Sequence, residues 1–135
     1  WEGGREKAPA AICRKVAYLP KSGGAIEVWG DGLQTRSFLF IDECIEATWR
    51  LMQSDFQGPV NIGSEEMVTI NQLVDTVAKV AGKDVNKIHI DGPLGVRGRN
   101  SNNDLIRENL GWDYQMTLEE GIRHTYNWIQ EQIEE

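Results

Sequence analysis

A mixed α/β fold is predicted for this chain by three observations. Apolar residues recur at helical spacing in five segments. In four other segments they alternate, or run short and β-like. The two kinds of segment follow the order helix, strand, strand, helix, strand, helix, strand, helix, helix, which lacks the regular alternation of a complete doubly wound sheet.

The first helix is announced by Pro9, a residue favoured in a first turn because its missing N–H costs little there. Ile12, Val16 and Leu19 share its apolar face, and Pro20 with Gly23-Gly24 ends it. Ile26-Glu27-Val28-Trp29 alternates like a strand, and Gly30-Asp31-Gly32 is a turn signal. A second strand is predicted over residues 36–41. The pair is compatible with a hairpin or with a crossover. Asp42-Glu43 places acids in the first turn of the next helix, as its dipole favours, and Ile45, Trp49 and Met52 form its apolar stripe. Residues 59–63 read as a third, short strand.

Thr69 with Gln72 is a capping-box pattern, followed by the stripe Leu73, Val77 and Val80 and by Gly82 as the stop. Residues 87–90 are the fourth strand. Residues 92–100 are a loop with three glycines, one proline and two arginines. Ser101 and Asp104 resemble a cap before Leu105 and Leu110, and Gly111-Trp112 closes that helix. Thr117 with Glu120 repeats the capping pattern ahead of Leu118, Ile122, Tyr126, Ile129 and Ile133.

A length of 135 residues suits one domain with one core, so residues 1–135 are predicted to form a single domain. No apolar run approaches the roughly 20 residues that a membrane helix requires, and no secretory signal pattern is visible, so a cytoplasmic location with no membrane partner is expected. Cys13 and Cys44 both fall in helical patterns, which favours buried thiols over a disulfide; nothing near them has metal-ligand spacing. A formal net charge of -7 argues against nucleic acid as the main partner. That charge is uneven. Residues 1–21 carry Arg5, Lys7, Arg14, Lys15 and Lys21 against Glu2 and Glu6, while residues from Asp113 onward carry six acids against Arg123. A basic first segment suits a small anion, although ordinary surface scatter has the same composition.

Several chemistries are excluded. No Gly-x-Gly-x-x-Gly opens a helix, so there is no dinucleotide fingerprint, and there is no phosphate-binding P-loop or Ser-His-Asp set. His89 and His124 read as structural. Two segments remain. Arg5-Glu6-Lys7 precedes a helix N-terminus, whose free N–H groups and positive potential attract anions; with Lys15 it makes either an anion site or a solvated basic edge. Gly95-Val96-Arg97-Gly98-Arg99-Asn100 combines glycines, which let backbone approach a ligand, with arginine forks that match phosphate oxygens. It is either a diphosphate site or a plain surface loop. Gln34-Thr35-Arg36 is a third polar cluster.

Taken together, Gly3-Gly4-Arg5-Glu6-Lys7-Ala8-Pro9, Trp29-Gly30-Asp31-Gly32-Leu33-Gln34-Thr35-Arg36-Ser37-Phe38, Pro59-Val60-Asn61-Ile62-Gly63-Ser64, Gly95-Val96-Arg97-Gly98-Arg99-Asn100-Ser101 and Tyr126-Asn127-Trp128-Ile129-Gln130-Glu131 resemble the GDP-mannose 3,5-epimerase family. The resemblance covers essentially the whole chain. Trp-Gly-Asp-Gly and Asn-Ile-Gly indicate only the extended short-chain dehydrogenase/reductase superfamily; Arg-Glu-Lys-Ala-Pro, Gln-Thr-Arg and Val-Arg-Gly-Arg-Asn narrow it to the epimerase.

The resemblance implies a C-terminal substrate-binding portion of such an enzyme, lacking the N-terminal Rossmann core. In the intact family enzyme, tightly held NAD oxidises carbon 4 of the mannose. The ketone acidifies the protons on carbons 3 and 5, and an acid/base pair exchanges them. Lys7 matches the family's lysine of that pair. A lysine suits the role where burial or a neighbouring cation favours the free amine, and Arg5 is a neighbour in sequence. The family's partner cysteine matches neither Cys13 nor Cys44. Glu6, Lys7, Ala8, Lys15, Gln34, Thr35 and Arg36 match substrate contacts. Arg99 matches a diphosphate-binding arginine, with Arg97 as the alternative if the register differs by two.

The expected ligand is GDP-mannose or a related GDP-sugar. No NAD is expected on this chain alone, and the chain is expected to be inactive by itself, as a self-associating dimer or in association with the N-terminal half. The competing reading is a stand-alone, non-catalytic oligomerising or binding module. An extended reductase of another specificity is disfavoured by the Gln-Thr-Arg and Arg-Glu-Lys segments.

Overall fold

The computed structural model describes residues 1–2, 4–93 and 95–134; Gly3 of the first motif and residue 94 of the glycine-rich loop lie outside them. The elements are α1 (Ala8–Ala17), β1 (Gly23–Trp29), β2 (Thr35–Ser37), α2 (Ile41–Gln53), β3 (Met67–Thr69), α3 (Ile70–Ala81), β4 (Asp84–Ile90), α4 (Asp104–Leu110) and α5 (Leu118–Glu134). Their order is the one predicted from the sequence.

The strand pairing resolves the hairpin-or-crossover alternative. β1 lies parallel to β4, with Gly23 opposite Asp84 and Trp29 opposite Ile90. A parallel pair requires a crossover, supplied here by the chain from β2 through α3. β2 pairs antiparallel with β3, Thr35 opposite Thr69. The predicted strand over 59–63 does not form. Val60 and Ile62 pack as apolar anchors without a ladder partner, and the strand forms at Met67–Thr69, where β2 offers a free edge. The second strand is shorter than predicted, because after Ser37 the chain leaves β3 and Phe38 turns into the core.

Three helices and the face of β1 enclose the main core. α1 contributes Ile12, Cys13 and Val16; α3 contributes Leu73, Val74 and Val77; α5 contributes Leu118, Ile122, Tyr126 and Ile129; β1 contributes Ile26 and Val28. Burial pushes the Cys13 thiol up to about 12, so it packs as a small apolar group. A smaller cluster joins Ala47 of α2, Ile106 of α4 and Trp112.

The helix ends behave as the sequence indicates, with one exception. Thr69 and Gln72 close a reciprocal capping box on α3, and Gly82 ends it at φ +64°, a conformation natural to glycine. Thr117 and Glu120 do the same ahead of α5: the Thr117 N–H donates to Glu120 Oε2 at 2.7 Å and the Glu120 N–H donates to Thr117 Oγ1 at 3.2 Å. The exception is α4. Its N-cap is Asn103, and the Ser101 hydroxyl is spent on Asn103 Oδ1 at 2.6 Å rather than on the helix. The C-terminus of α1 is closed from a distance. Lys83 Nζ donates to the carbonyls of Val16, Ala17 and Leu19 at 2.9, 3.0 and 2.8 Å, and its partial burial lowers its pKa.

The stripe read on α2 is present but uncovered. Ile41, Ile45, Trp49 and Met52 are 59, 59, 58 and 72% exposed, and Ala47 alone of that helix is buried. Four large apolar side chains at helical spacing thus lie together on an open face.

Candidate functional site

Two openings flank the segment that runs from the end of β1 to β2. The first, of about 320 Å³, lies between the start of α1 and the end of β1. Ala8, Ala11, Ile12, Val28, Trp29 and Ile70 make its apolar walls. Its polar groups are Glu6, Arg14, Lys15 and Glu27. Glu6 is the unusual member. Its side chain is 6% exposed and ion-paired with Arg14 through Oε1, while Oε2 is buried with no hydrogen-bond partner. A buried, ionised acceptor without a donor is costly. Its own backbone N–H, and then Arg14, hold the Glu6 carboxyl below the usual range despite burial, so it stays anionic. Arg14 Nε is likewise buried without a partner. Lys15 Nζ donates to the Glu27 carbonyl at 2.9 Å, which ties α1 to β1 along one wall.

The second opening, of about 370 Å³, is lined by Arg36, Ser37, Asn61, Ser64, Arg99 and Ser101, with Leu39 and Gly63 among its walls. It brings two arginines from distant parts of the sequence together with hydroxyl and amide groups, a donor set suited to phosphate oxygens. Arg36 Nη1 donates to the Thr35 carbonyl at 2.7 Å, which aims its fork from the strand edge. Residues 97–99 reach this place because they pair with β2. Thr35 N–H donates to the Arg97 carbonyl at 2.9 Å, Arg99 N–H donates to the Thr35 carbonyl at 3.1 Å, and Thr35 bridges Gly98. At the root of the same loop, Gly92 lies against the Trp29 ring, where an added Cβ would come within 2.6 Å.

The sequence-predicted residues therefore divide. Glu6, Ala8 and Lys15 line the first opening, and Arg36 and Arg99 the second. Lys7 is exposed at the N-cap of α1, between Glu6 and Ala8. Thr35 acts through its backbone. Gln34 is buried; its Nε2 donates to the Trp29 carbonyl at 3.3 Å and its Oε1 has no partner. Arg97 points elsewhere, to Asp31, and is not among the residues that line the second opening. Sequence reasoning did not single out Trp29, Ile70, Asn61 or Ser64 as lining groups. Trp29, Asn61 and Ser64 sit inside quoted motifs, a usable signal; Ile70 carries none.

Glutamates hold the neighbouring loops. Glu65 accepts from Arg107 and from the Asn103 N–H; Glu66 accepts from the Leu118 N–H at 2.7 Å. Arg107 bonds Glu65 and Asp113, which lowers both carboxyls and raises the guanidinium. This network fixes residues 64–66 and α4 around the second opening.

The described residues do not fit a nicotinamide dinucleotide. A dinucleotide site needs a parallel strand that turns over glycines into a helix N-terminus. β1 runs into the 30–32 turn and β2, and β4 runs into residues 91–93, outside any helix, so neither strand of the parallel pair leads directly into a helix. No group of three or more potential metal ligands occurs among the described residues, and no helix there is long and apolar enough to cross a membrane.

The chain resembles a UDP-glucose 4-epimerase from Thermotoga maritima, solved with UDP-glucose, at a TM-score of 0.87 and 23% identity; the match covers 96% of this chain and 41% of that one. It resembles RMD from Pseudomonas aeruginosa, solved with NADPH, at a TM-score of 0.83 and 18% identity, over 96% of this chain and 45% of that one. The fold is thus that of a part of each of these structures, less than half of its length.

The GDP-mannose 4,6-dehydratase family model matches residues 3–125, and the chain belongs to that family. Within it, the chain is 59% identical over 134 residues to GDP-mannose 3,5-epimerase of Arabidopsis thaliana, and 57% identical to GDP-mannose 3,5-epimerase 1 of Oryza sativa subsp. indica. Each match covers 99% of this chain and 35% of the relative. The chain thus spans about a third of the length of these curated relatives.

Proposed function

We propose that this chain is the GDP-sugar-gripping portion of a GDP-mannose 3,5-epimerase-like enzyme, residues 1–135 acting as one substrate-binding domain. The carrying observation is the pair of openings either side of the Trp29-to-Arg36 segment: one apolar with an unpartnered carboxylate oxygen, the other bearing two arginines. A nucleoside diphosphate has the matching chemistry. In a GDP-sugar, the sugar offers hydroxyl donors, which an ionised carboxylate accepts. Apolar walls and the Trp29 ring suit the sugar's faces. Arg36 and Arg99 suit the diphosphate. Lys7, beside that opening at the start of α1, is the group assigned to exchange a proton with the sugar. The nicotinamide cofactor belongs to the part of the relatives' length that this chain does not span, so no turnover is expected from these residues alone.

The test is thermal stability of the chain with GDP-mannose, GDP and UDP-glucose. A ligand that binds only the folded state stabilises it by about 2.7 kcal/mol at a hundredfold excess over Kd. Both guanine nucleotides are expected to raise Tm and UDP-glucose is not. Glu6→Gln, which keeps the shape and removes the charge, is expected to weaken GDP-mannose about tenfold and to leave GDP nearly unchanged. Equal shifts from GDP and UDP-glucose in the wild type would remove the guanine assignment.

The open α2 stripe favours a second reading, an assembly module that associates through Ile41, Ile45, Trp49 and Met52. Sedimentation equilibrium decides it. A dimer that Trp49→Glu converts to monomer, with no response to GDP, supports this reading; a monomer in the wild type ends it.

A further inference from the structure

Arg97 carries the second guanidinium of the glycine-rich loop, and the proposed binding reaction leaves it without a role. It is committed to Asp31: its Nη1 lies 2.9 and 3.1 Å from the two carboxylate oxygens, across 66 residues of sequence. Asp31 is itself held in place. Its Oδ1 accepts from the Leu33 N–H at 2.9 Å, its carbonyl accepts from Asn71 Nδ2 at 3.0 Å, and the Asn71 N–H donates to the Gly32 carbonyl at 3.0 Å. A Cβ on Gly32, which sits at φ +70°, would fall 2.0 Å from Asn71 Oδ1, so this turn is pressed against the start of α3. The ion pair thus links a turn anchored on a core helix to a loop whose described residues 95–100 are all exposed.

We propose that the Asp31–Arg97 pair is a positioning device, which seats residues 97–99 on the edge of β2 so that Arg99 faces Arg36. Among the described residues, the loop's remaining attachment there is one bridge made of two backbone hydrogen bonds, both through Thr35. Those bonds set the height of the loop but share one residue and so form a hinge. The Arg97 fork, reaching Asp31 before β2, is a second point of attachment, and two points fix the angle at which Arg99 projects. Both side chains are at least half exposed, at 63% for Arg97 and 50% for Asp31, and such pairs add little to global stability. The consequence of losing it falls on the loop and on Arg99 rather than on the fold. A misplacement of about 1 Å at a binding group is enough to cost affinity. The proposal rests on the GDP-sugar reading, because it is the diphosphate that Arg99 would meet.

The experiment is calorimetric titration of the 135-residue chain with GDP and with guanosine, in the wild type, Asp31→Asn, Asp31→Glu, Arg99→Ala and the Asp31→Asn/Arg99→Ala double variant. The Asp31→Asn change keeps an acceptor for the Leu33 N–H and removes the charge, so the turn is preserved. Asp31→Asn is expected to weaken GDP about tenfold, leave guanosine unchanged and leave Tm within a degree or two. Asp31→Glu is expected to recover part of that loss. The double variant is expected to bind GDP no worse than Arg99→Ala, since the pair acts through Arg99. Amide exchange at Thr35 and Arg99 is expected to quicken in Asp31→Asn.

If the wild type prefers GDP to guanosine and Asp31→Asn leaves that preference intact, the positioning role is wrong and the binding reading stands. If the variant weakens GDP and guanosine equally with a fall in Tm, Asp31 is merely structural and the proposal is overturned. If the wild type binds GDP no better than guanosine, both the proposal and the diphosphate assignment fail.

Discussion

Replacing Leu73 by alanine is expected to lower the unfolding free energy by about 3 kcal/mol and Tm by about 10 °C. Leu73 is fully buried, on the face of α3 that also carries Val74 and Val77 into the main core. α3 packs there against both α1 and α5, so the vacated volume is bounded by two other helices and collapses incompletely. Domains of this size are stable by about 5–15 kcal/mol, so the loss is a large share of the whole. Ile45→Ala is the control. It removes a side chain of similar size from a helical stripe of similar spacing, and is expected to change stability by less than about 0.5 kcal/mol, because Ile45 is 59% exposed. Urea unfolding of both variants checks the pair. Equal losses at the two positions would mean that the α2 face is covered.

That contrast shows where the sequence stops being informative. Periodicity names an apolar face but not what lies against it: the stripes of α2 and α3 are alike in pattern, and among the described residues that of α3 is covered while that of α2 is left open. Elements and caps were legible because their causes are local. Thr69 needs only Gln72, and Gly82 needs only the end of its helix. The third strand was misplaced because pairing is not local. Val60 and Ile62 have strand-like residue types, but β2 offers its edge to Met67–Thr69.

The site was legible as residue types and partly as geometry. Arg36 and Arg99 share an opening, yet nothing in the spacing of Arg97 and Arg99 told which one would face it. Asp31 decides that, from 66 residues away. The inward turn of Glu6 was hidden for the same reason. Its partner Arg14 is 8 residues on, two turns of a helix whose start had to form first. Resemblance singled out Glu6 and Arg99; the buried unpartnered oxygen and the shared opening are physical features that the motifs did not reveal.

Lys7→Met is expected to lower kcat by roughly 100- to 10,000-fold in an enzyme where this chain replaces the matching segment of the Arabidopsis relative. Methionine keeps most of the unbranched stem and removes the amine, so the change tests proton exchange more than packing. Lys7 is the N-cap of α1; its carbonyl accepts from the Ala11 N–H at 3.0 Å, and its side chain is exposed beside a pocket that Glu6 and Ala8 line. The backbone that fixes its position is therefore independent of its side chain, and Tm is expected to stay within a few degrees. A group that moves a proton lowers kcat and kcat/KM together when removed, whereas a group that only binds raises KM at unchanged kcat. Exchange of solvent deuterium into carbons 3 and 5 of the sugar separates the cases further. Loss of exchange at one carbon with exchange kept at the other would assign Lys7 to that carbon. Full turnover and full exchange in Lys7→Met would leave Lys7 as a substrate contact only, and the proton would have to come from a group on the part of the enzyme that this chain does not span.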